Sequence, residues 1–192
     1  MPRSKTYDDD LVLEKAMKVF WLHGYEATSV RLLEKEMGIN QFSIYSSFQN
    51  KKNLFINAIR SYREYMKNHH FQLLLQENAG FQELERFFLE AVNVNLTERR
   101  SKGCLIVNTA GELGDKDSDI AREINQYYDF IREMIKNVLR NAVRKQEIPV
   151  ITDVEQQANF FLGVMQSLSV ASKTMENKQL NDFISLALKQ LK

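Results

Sequence analysis

A chain of 192 residues holds one large domain or two small ones. Two prolines, seven glycines and a dominance of helix formers exclude a β-rich fold and leave an all-α class; without an eighteen-residue apolar run, and with a polar N-terminus, neither a helical membrane span nor a signal peptide is expected. One cysteine excludes an intrachain disulfide and fits a cytoplasmic chain, and the net charge of +1 marks no polyanion binder until its distribution is read: residues 1–67 carry eleven Lys/Arg against eight Asp/Glu, residues 68–192 fifteen against seventeen.

Residues 1–7 read as a frayed arm, in which Arg3 and Lys5 are the cations. One of Asp8, Asp9 and Asp10 is expected to cap helix 1, since a carboxylate there accepts from free amides and suits the positive end of the dipole. Val12, Ala16, Val19, Phe20 and His23 recur at helical spacing, and Gly24 ends the helix. Phe20 and Trp21 are read as core, and His23 as structural.

Helix 2, 29–37, has Thr28 or Ser29 as its cap, Val30 and Leu33 as its apolar edge, and Gly38 as its left-handed stop. Asn40 caps helix 3, about 41–47. Ile44 and Phe48 face inward on it, which leaves Gln41, Phe42, Ser43, Tyr45, Ser46 and Ser47 outward. Two short helices joined by three or four residues containing Gly outline a helix-turn-helix, whose second helix lies in the DNA major groove. Gln can bond adenine bidentately, Ser can bond several base edges or phosphates, and an aromatic edge can sit on a thymine methyl. An outward Phe42 and Tyr45 are costly unless they meet something, which argues against an ordinary pair of bundle helices.

Helix 4 starts near residue 50 and is expected to reach about 76. Its first amides, with Lys51 and Lys52, make an anion site. The stretch 40–67 holds Lys51, Lys52, Arg60, Arg63 and Lys67 against Glu64 alone. His69 and His70 are adjacent, so they point apart and cannot share a metal. Helix 5, about 81–98, turns Leu84, Phe87, Phe88, Ala91, Val92 and Leu96 inward, and the run Arg99, Arg100 and Lys102 breaks it. Helix 6, about 104–113, is apolar on several sides, which implies burial. Helix 7 covers about 118–145, and the interval 146–152, with Pro149, is a connection. Helix 8 runs from 152 or 153 to about 174 and carries Gly163, Ser167 and Ala171 four apart, a stripe of small residues on which two backbones can approach. Helix 9, about 178–191, has a broad apolar face. Helices 8 and 9 either complete a monomeric core or pair with a second copy.

Phe20, Gly24-Tyr25, Thr28-Ser29-Val30, Gly38, Ile44-Tyr45, Phe48, Lys51 and Leu54-Phe55 together resemble the N-terminal DNA-binding domain of TetR/AcrR-type transcriptional regulators. The segment from Gly103 to Asn108 followed by Glu112-Leu113 resembles one branch of that family. The resemblance implies about nine helices: a DNA-binding head over 1–55, linked by helix 4 to a ligand-binding and dimerisation body over 56–192. It implies a DNA surface of Thr28, Ser29, Arg31, Gln41, Phe42, Ser43, Tyr45, Ser46 and Lys51, with Thr28, Ser29, Tyr45 and Lys51 on phosphates and helix 3 on bases. It implies a cavity for a small, mainly apolar effector, with Phe88, Val92, Cys104, Val107, Tyr127, Ile131, Met134, Phe161 and Met165 as candidate walls. It also implies a homodimer through helices 8 and 9, using Gly163, Ser167, Ala171, Leu180, Phe183, Ile184, Ala187 and Leu188, on a near-palindromic double-stranded operator, with repression the usual outcome. Gln41 stands where the family often has lysine, Phe42 where a small residue is usual, and Glu34 where a small residue packs between the helices. No relative's operator is therefore carried over, and a somewhat different helix crossing is expected.

No catalytic constellation or metal spacing is readable, so neither enzyme activity nor a metal or other cofactor is expected. Cys104 follows the cationic run and opens a helix, a setting that activates a thiol; lone cysteines also serve as small hydrophobes. The rival to a DNA-binding regulator is a helical ligand-binding dimer that has lost DNA binding, with Glu34, Gln41 and Phe42 as its signs.

Overall fold

The computed structural model describes residues 7–93, 102–114 and 116–192. Among them the chain forms nine helices and no strand: α1 Asp9–His23, α2 Val30–Met37, α3 Gln41–Phe48, α4 Lys51–His69, α5 Phe81–Asn93, α6 Leu105–Glu112, α7 Ser118–Arg144, α8 Val154–Ala171 and α9 Asn177–Lys189. The last turn expected for helix 5, with Leu96, and the Arg99 and Arg100 expected to break it lie outside the described residues, as do Arg3 and Lys5.

The caps explain the boundaries. Asp8 accepts from the amides of Asp10 and Leu11, Ser29 from Leu32, Asn40 from Ser43, and Asn50 from Asn53. Gly38 ends α2 in the left-handed conformation, φ 75°, where a side chain would be strained. Between α3 and α4, Gln49 holds φ 67° without being glycine, and this sharp turn brings the start of α4 beside α3.

In the head, α1 packs on α2 and α4, and α3 packs on α2 and α4. Phe20, Ile44, Leu54 and Phe55 are fully buried there, with Phe20 and Phe55 edge to face at 4.8 Å. In the body, α7 packs against α4, α5, α6 and α8, while α9 lies against α5 and α8. The long apolar stripe of α7, from Ile120 to Ala142, is its buried spine. No helix among the described residues is long and apolar enough to cross a membrane.

Helix α4 stops at His69, short of the expected 76. Phe71 and Leu74 are pulled into the body core, and the chain turns to place them there, with the amide of Phe71 on the carbonyl of Met66. Tertiary burial overrides a helical pattern whose last turn is polar, Asn68-His69-His70.

Candidate functional site

The expected DNA-facing residues come from the starts of α2, α3 and α4 and from one face of α3. On α3, Ile44 is buried while Gln41, Phe42 and Ser46 are exposed and Tyr45 is half-buried. Phe42 is 82% exposed. At about 100° per residue it lies roughly 160° around the helix from Ile44, at the middle of the outer face. Two groups hold the start of α3: Asn40 accepts from the Ser43 amide at 2.9 Å, and the Glu34 carboxylate accepts from the Gln41 amide. Glu34 thus serves as a second cap, compatible with the positive end of the α3 dipole. The far flank of α3 is covered, because the Tyr7 hydroxyl donates to the Ser43 carbonyl at 3.3 Å and shares a hydrogen bond with Ser47 Oγ at 2.9 Å. Ser43 is half-buried.

Ser29 and Arg31 are exposed at the start of α2. Thr28 is not: it is fully buried and its hydroxyl donates to the Gly24 carbonyl at 2.6 Å. That bond fastens the α1–α2 turn and removes Thr28 as a phosphate ligand. Lys51 stands half-buried with its ammonium 4.4 Å from the centre of the Tyr25 ring. Lys52 is committed elsewhere, at 2.8 Å from both Asp117 and Asp119 at the start of α7. Hydrogen bonds from Lys52 hold both carboxyls below the usual range, and those carboxylates raise the Lys52 pKa in turn. Of the two lysines expected to make an anion site at the start of α4, Lys52 is therefore engaged with the start of α7 instead.

The head is tied to the body at further points. The Glu112 carboxylate, at the end of α6, accepts the Tyr25 amide at 2.9 Å and the Glu26 amide at 2.7 Å. Gly24, φ 78°, makes room for it: a Cβ there would fall 2.8 Å from Glu112 Oε2. Trp21 donates its indole N–H to the Gly103 carbonyl at 2.8 Å. Arg60 reaches Glu123, which is 2% exposed, at 3.1 and 2.5 Å.

Inside the body lies a cavity of about 480 Å³. Its walls include Phe88, Val92, Cys104, Val107, Tyr127, Ile131 and Met165, all of them expected from the sequence. Two candidates are not in the wall. Phe161 is fully buried against Phe88, ring centres 5.5 Å apart, and Met134 is buried on another side of α7, beside Leu74 and Val138. The wall also holds Trp21, Tyr62, Met66, His69, His70, Tyr128 and Gln166, which sequence reasoning did not assign. Trp21 is thus half-buried wall and not simple core; its ring meets Tyr62 edge to face at 5.0 Å. Burial, and then the neighbouring Cys104, push the Tyr62 and Tyr127 hydroxyls well above the ordinary phenol range. Burial and Cys104 raise Tyr128 to about 12, opposed by a hydrogen bond with Gln166. All three phenols are neutral hydrogen-bonding groups at physiological pH. Cys104 is half-buried; its amide donates to Ser169 Oγ at 2.8 Å, and the nearby Lys102 ammonium sits 5.9 Å over the Trp21 ring.

The expected pairing surface is divided. On α9, Leu180, Ile184, Ala187 and Leu188 are buried within the subunit itself, so these four serve its own core and not the expected pairing surface; Phe183 is half-buried. The apolar group that α9 exposes is Leu186, at 62%. On α8, Ser167 is exposed, Gly163 and Ala171 are half-buried, and Phe160 and Val170 add exposed apolar surface to the same side. A Cβ on Gly163 would meet nothing within 4 Å.

Residues 12–58 match the family profile described as bacterial regulatory proteins, tetR family, and residues 80–187 match the tetracyclin repressor-like C-terminal domain. The chain is 30% identical to the HTH-type transcriptional repressor ComR of Escherichia coli over 172 residues, 89% of this chain and 82% of that protein. It is 31% identical over 194 residues, the whole of both chains, to the HTH-type transcriptional regulator YezE of Bacillus subtilis. In fold it is similar to a cysteine-substituted CifR, a TetR-family regulator solved with a 26 bp double-stranded operator, at TM-score 0.86 and 24% identity over 99% of this chain and 100% of that one. A TetR-family regulator of Cytophaga hutchinsonii superposes at TM-score 0.80 and 16% identity over 97% and 96%.

Proposed function

This chain belongs to the TetR family, a family of DNA-binding transcriptional regulators and not of enzymes, and from that premise we propose that it is an effector-responsive repressor that binds a near-palindromic operator as a homodimer. In this reading residues 1–55 form the DNA-reading unit and 56–192 the effector and pairing unit, with α4 shared. The observation that carries it is the outer face of α3, open and doubly capped beside the start of α4. Gln41, Phe42 and Ser46 face base edges, while Ser29, Arg31, Tyr45 and Lys51 hold phosphates. Two copies pair through α8 and α9, using Phe160, Gly163, Ser167 and Val170 with Phe183 and Leu186. Their reading heads then stand about 34–36 Å, or a small multiple, apart.

The effector is a small, mainly apolar molecule in the cavity of about 480 Å³. Its tyrosine hydroxyls would orient a single polar group. Occupancy acts through α6, which starts at the cavity wall with Cys104 and ends at the head with Glu112, and through α4. Effector and DNA then oppose each other reciprocally, with a coupling of ~1–3 kcal/mol. A second reading places a thiol reaction in the same wall, because Cys104 lines the cavity. A Cys104→Ser protein that responds fully to every electrophile releasing the parent would end that reading.

A gel shift at two salt concentrations tests the main reading. Affinity should fall steeply with salt, and Lys51→Ala should weaken binding to all sequences and flatten the salt slope. Binding that ignores both salt and Lys51 would contradict it.

A further inference from the structure

We propose that Phe42 reads the methyl group of a thymine, so that each operator half-site must present a thymine at one fixed position in the major groove. The inference rests on the reading of α3 as the groove-facing helix and goes beyond it to the chemistry of one base.

Phe42 is the most exposed aromatic side chain in the head, 82% open, and sits at the middle of the outer face. Its position is fixed on a short helix held at its start by Asn40 and by Glu34. The flanking polar groups on that face, Gln41 and Ser46, can form hydrogen bonds; a phenyl ring cannot. Tyr45, the other aromatic on the helix, is half-buried and is therefore less available to the groove. The major-groove edges of the four standard bases carry hydrogen-bond donors and acceptors, and the single apolar feature among them is the C5 methyl of thymine. A ring at the centre of the reading face desolvates donors and acceptors without replacing their bonds wherever it meets another base edge. Against thymine it covers a methyl instead, and both apolar surfaces leave water.

The test uses the full-length protein and a duplex that the parent selects from random DNA. Thymines in each half-site are replaced by deoxyuridine one position at a time, which deletes the methyl and leaves the base pair unchanged. Binding of one methyl is worth about a fourfold change per half-site, or roughly fifteenfold when both half-sites are altered. The parent should lose that much at one symmetric position. Phe42→Ala should bind the unmodified duplex more weakly and show no further loss with uracil at that position. Phe42→Leu, which keeps an apolar side chain, should retain part of the discrimination, and Trp21 emission reports whether each variant is folded. Placing 5-methylcytosine there should bind better than cytosine to the parent and equally to Phe42→Ala. If no position distinguishes the parent from Phe42→Ala, the methyl contact is wrong even though the helix still reads DNA. Weakened binding by Phe42→Ala with no uracil-sensitive position would make the ring a wedge or packing group, which also overturns it. Failure of the parent to select any duplex would remove the underlying reading as well.

Discussion

Replacing Glu112 by alanine removes one carboxylate that accepts two backbone amides, Tyr25 at 2.9 Å and Glu26 at 2.7 Å. Glu112 is half-buried and Glu26 is exposed, so water replaces part of what is lost. A net hydrogen bond of this kind is worth about 1 kcal/mol, which puts the pair at about 2 kcal/mol. For a chain of this size that lowers the melting temperature by about 4–8 °C. Glu112→Gln keeps one acceptor and should lose about half as much. The local readout is hydrogen exchange at the amides of Tyr25 and Glu26, which should speed up in Glu112→Ala more than amides in the α7 spine do. Because the same turn leads into Ser29 and α2, operator affinity should drop, by as much as tenfold if about 1.4 kcal/mol of head ordering must be restored on binding. Unchanged exchange at both amides, with the melting temperature of the parent, would refute the clamp and with it the role of α6 as a link.

Arg60→Met leaves the buried carboxylate of Glu123 without its cation, which is itself half exposed, and should cost about 1–3 kcal/mol in urea unfolding; Glu123→Gln, which removes the buried charge itself, should cost less. Gly163→Leu fits the subunit, since nothing lies within 4 Å of the added Cβ, yet obstructs a partner helix. Sedimentation should therefore show folded monomers where the parent gives dimers. Tyr62, Tyr127 and Tyr128 keep their protons above the ordinary phenol range in the fold and lose them near pH 10 when unfolded, so stability is intact below about pH 10 and falls as pH climbs toward their folded values. Phenolate absorbance should show late-titrating groups that unfolding in urea returns to the ordinary range.

What was legible in the sequence was local. The cap at Asn40, the caps narrowed to Asp8–Asp10 and to Thr28 or Ser29, of which the fold uses Asp8 and Ser29, the stops at Gly24 and Gly38, and the inward side of α3 each follow from residue chemistry within one or two turns. Seven cavity residues could be named because the family resemblance implies a cavity and their helices carry apolar faces that could line it. The same faces misled where the question was which neighbour covers them. Leu180, Ile184, Ala187 and Leu188 form a stripe, but periodicity marks burial and not its partner, and their own subunit buries them. Phe161 and Met134 fail as cavity walls for the same reason. The ties between head and body left no local trace at all: Glu112 meets residues 86 and 87 positions away, and Trp21 meets a carbonyl 82 positions away. Lys51 and Lys52 are neighbours with one side chain type, yet Asp117 and Asp119 claim only the second. Glu34, a departure from the family pattern in sequence, is in the fold a cap for α3.

The most direct measurement is selection of bound fragments from random duplex DNA, run in parallel for the parent, Gln41→Ala and Ser46→Ala. If the outer face of α3 reads DNA, the parent enriches a two-fold symmetric motif, and each variant loses its preference at its own symmetric positions while the rest of the motif stands. Enrichment of one identical motif by all three proteins would mean that some other surface makes the base contacts.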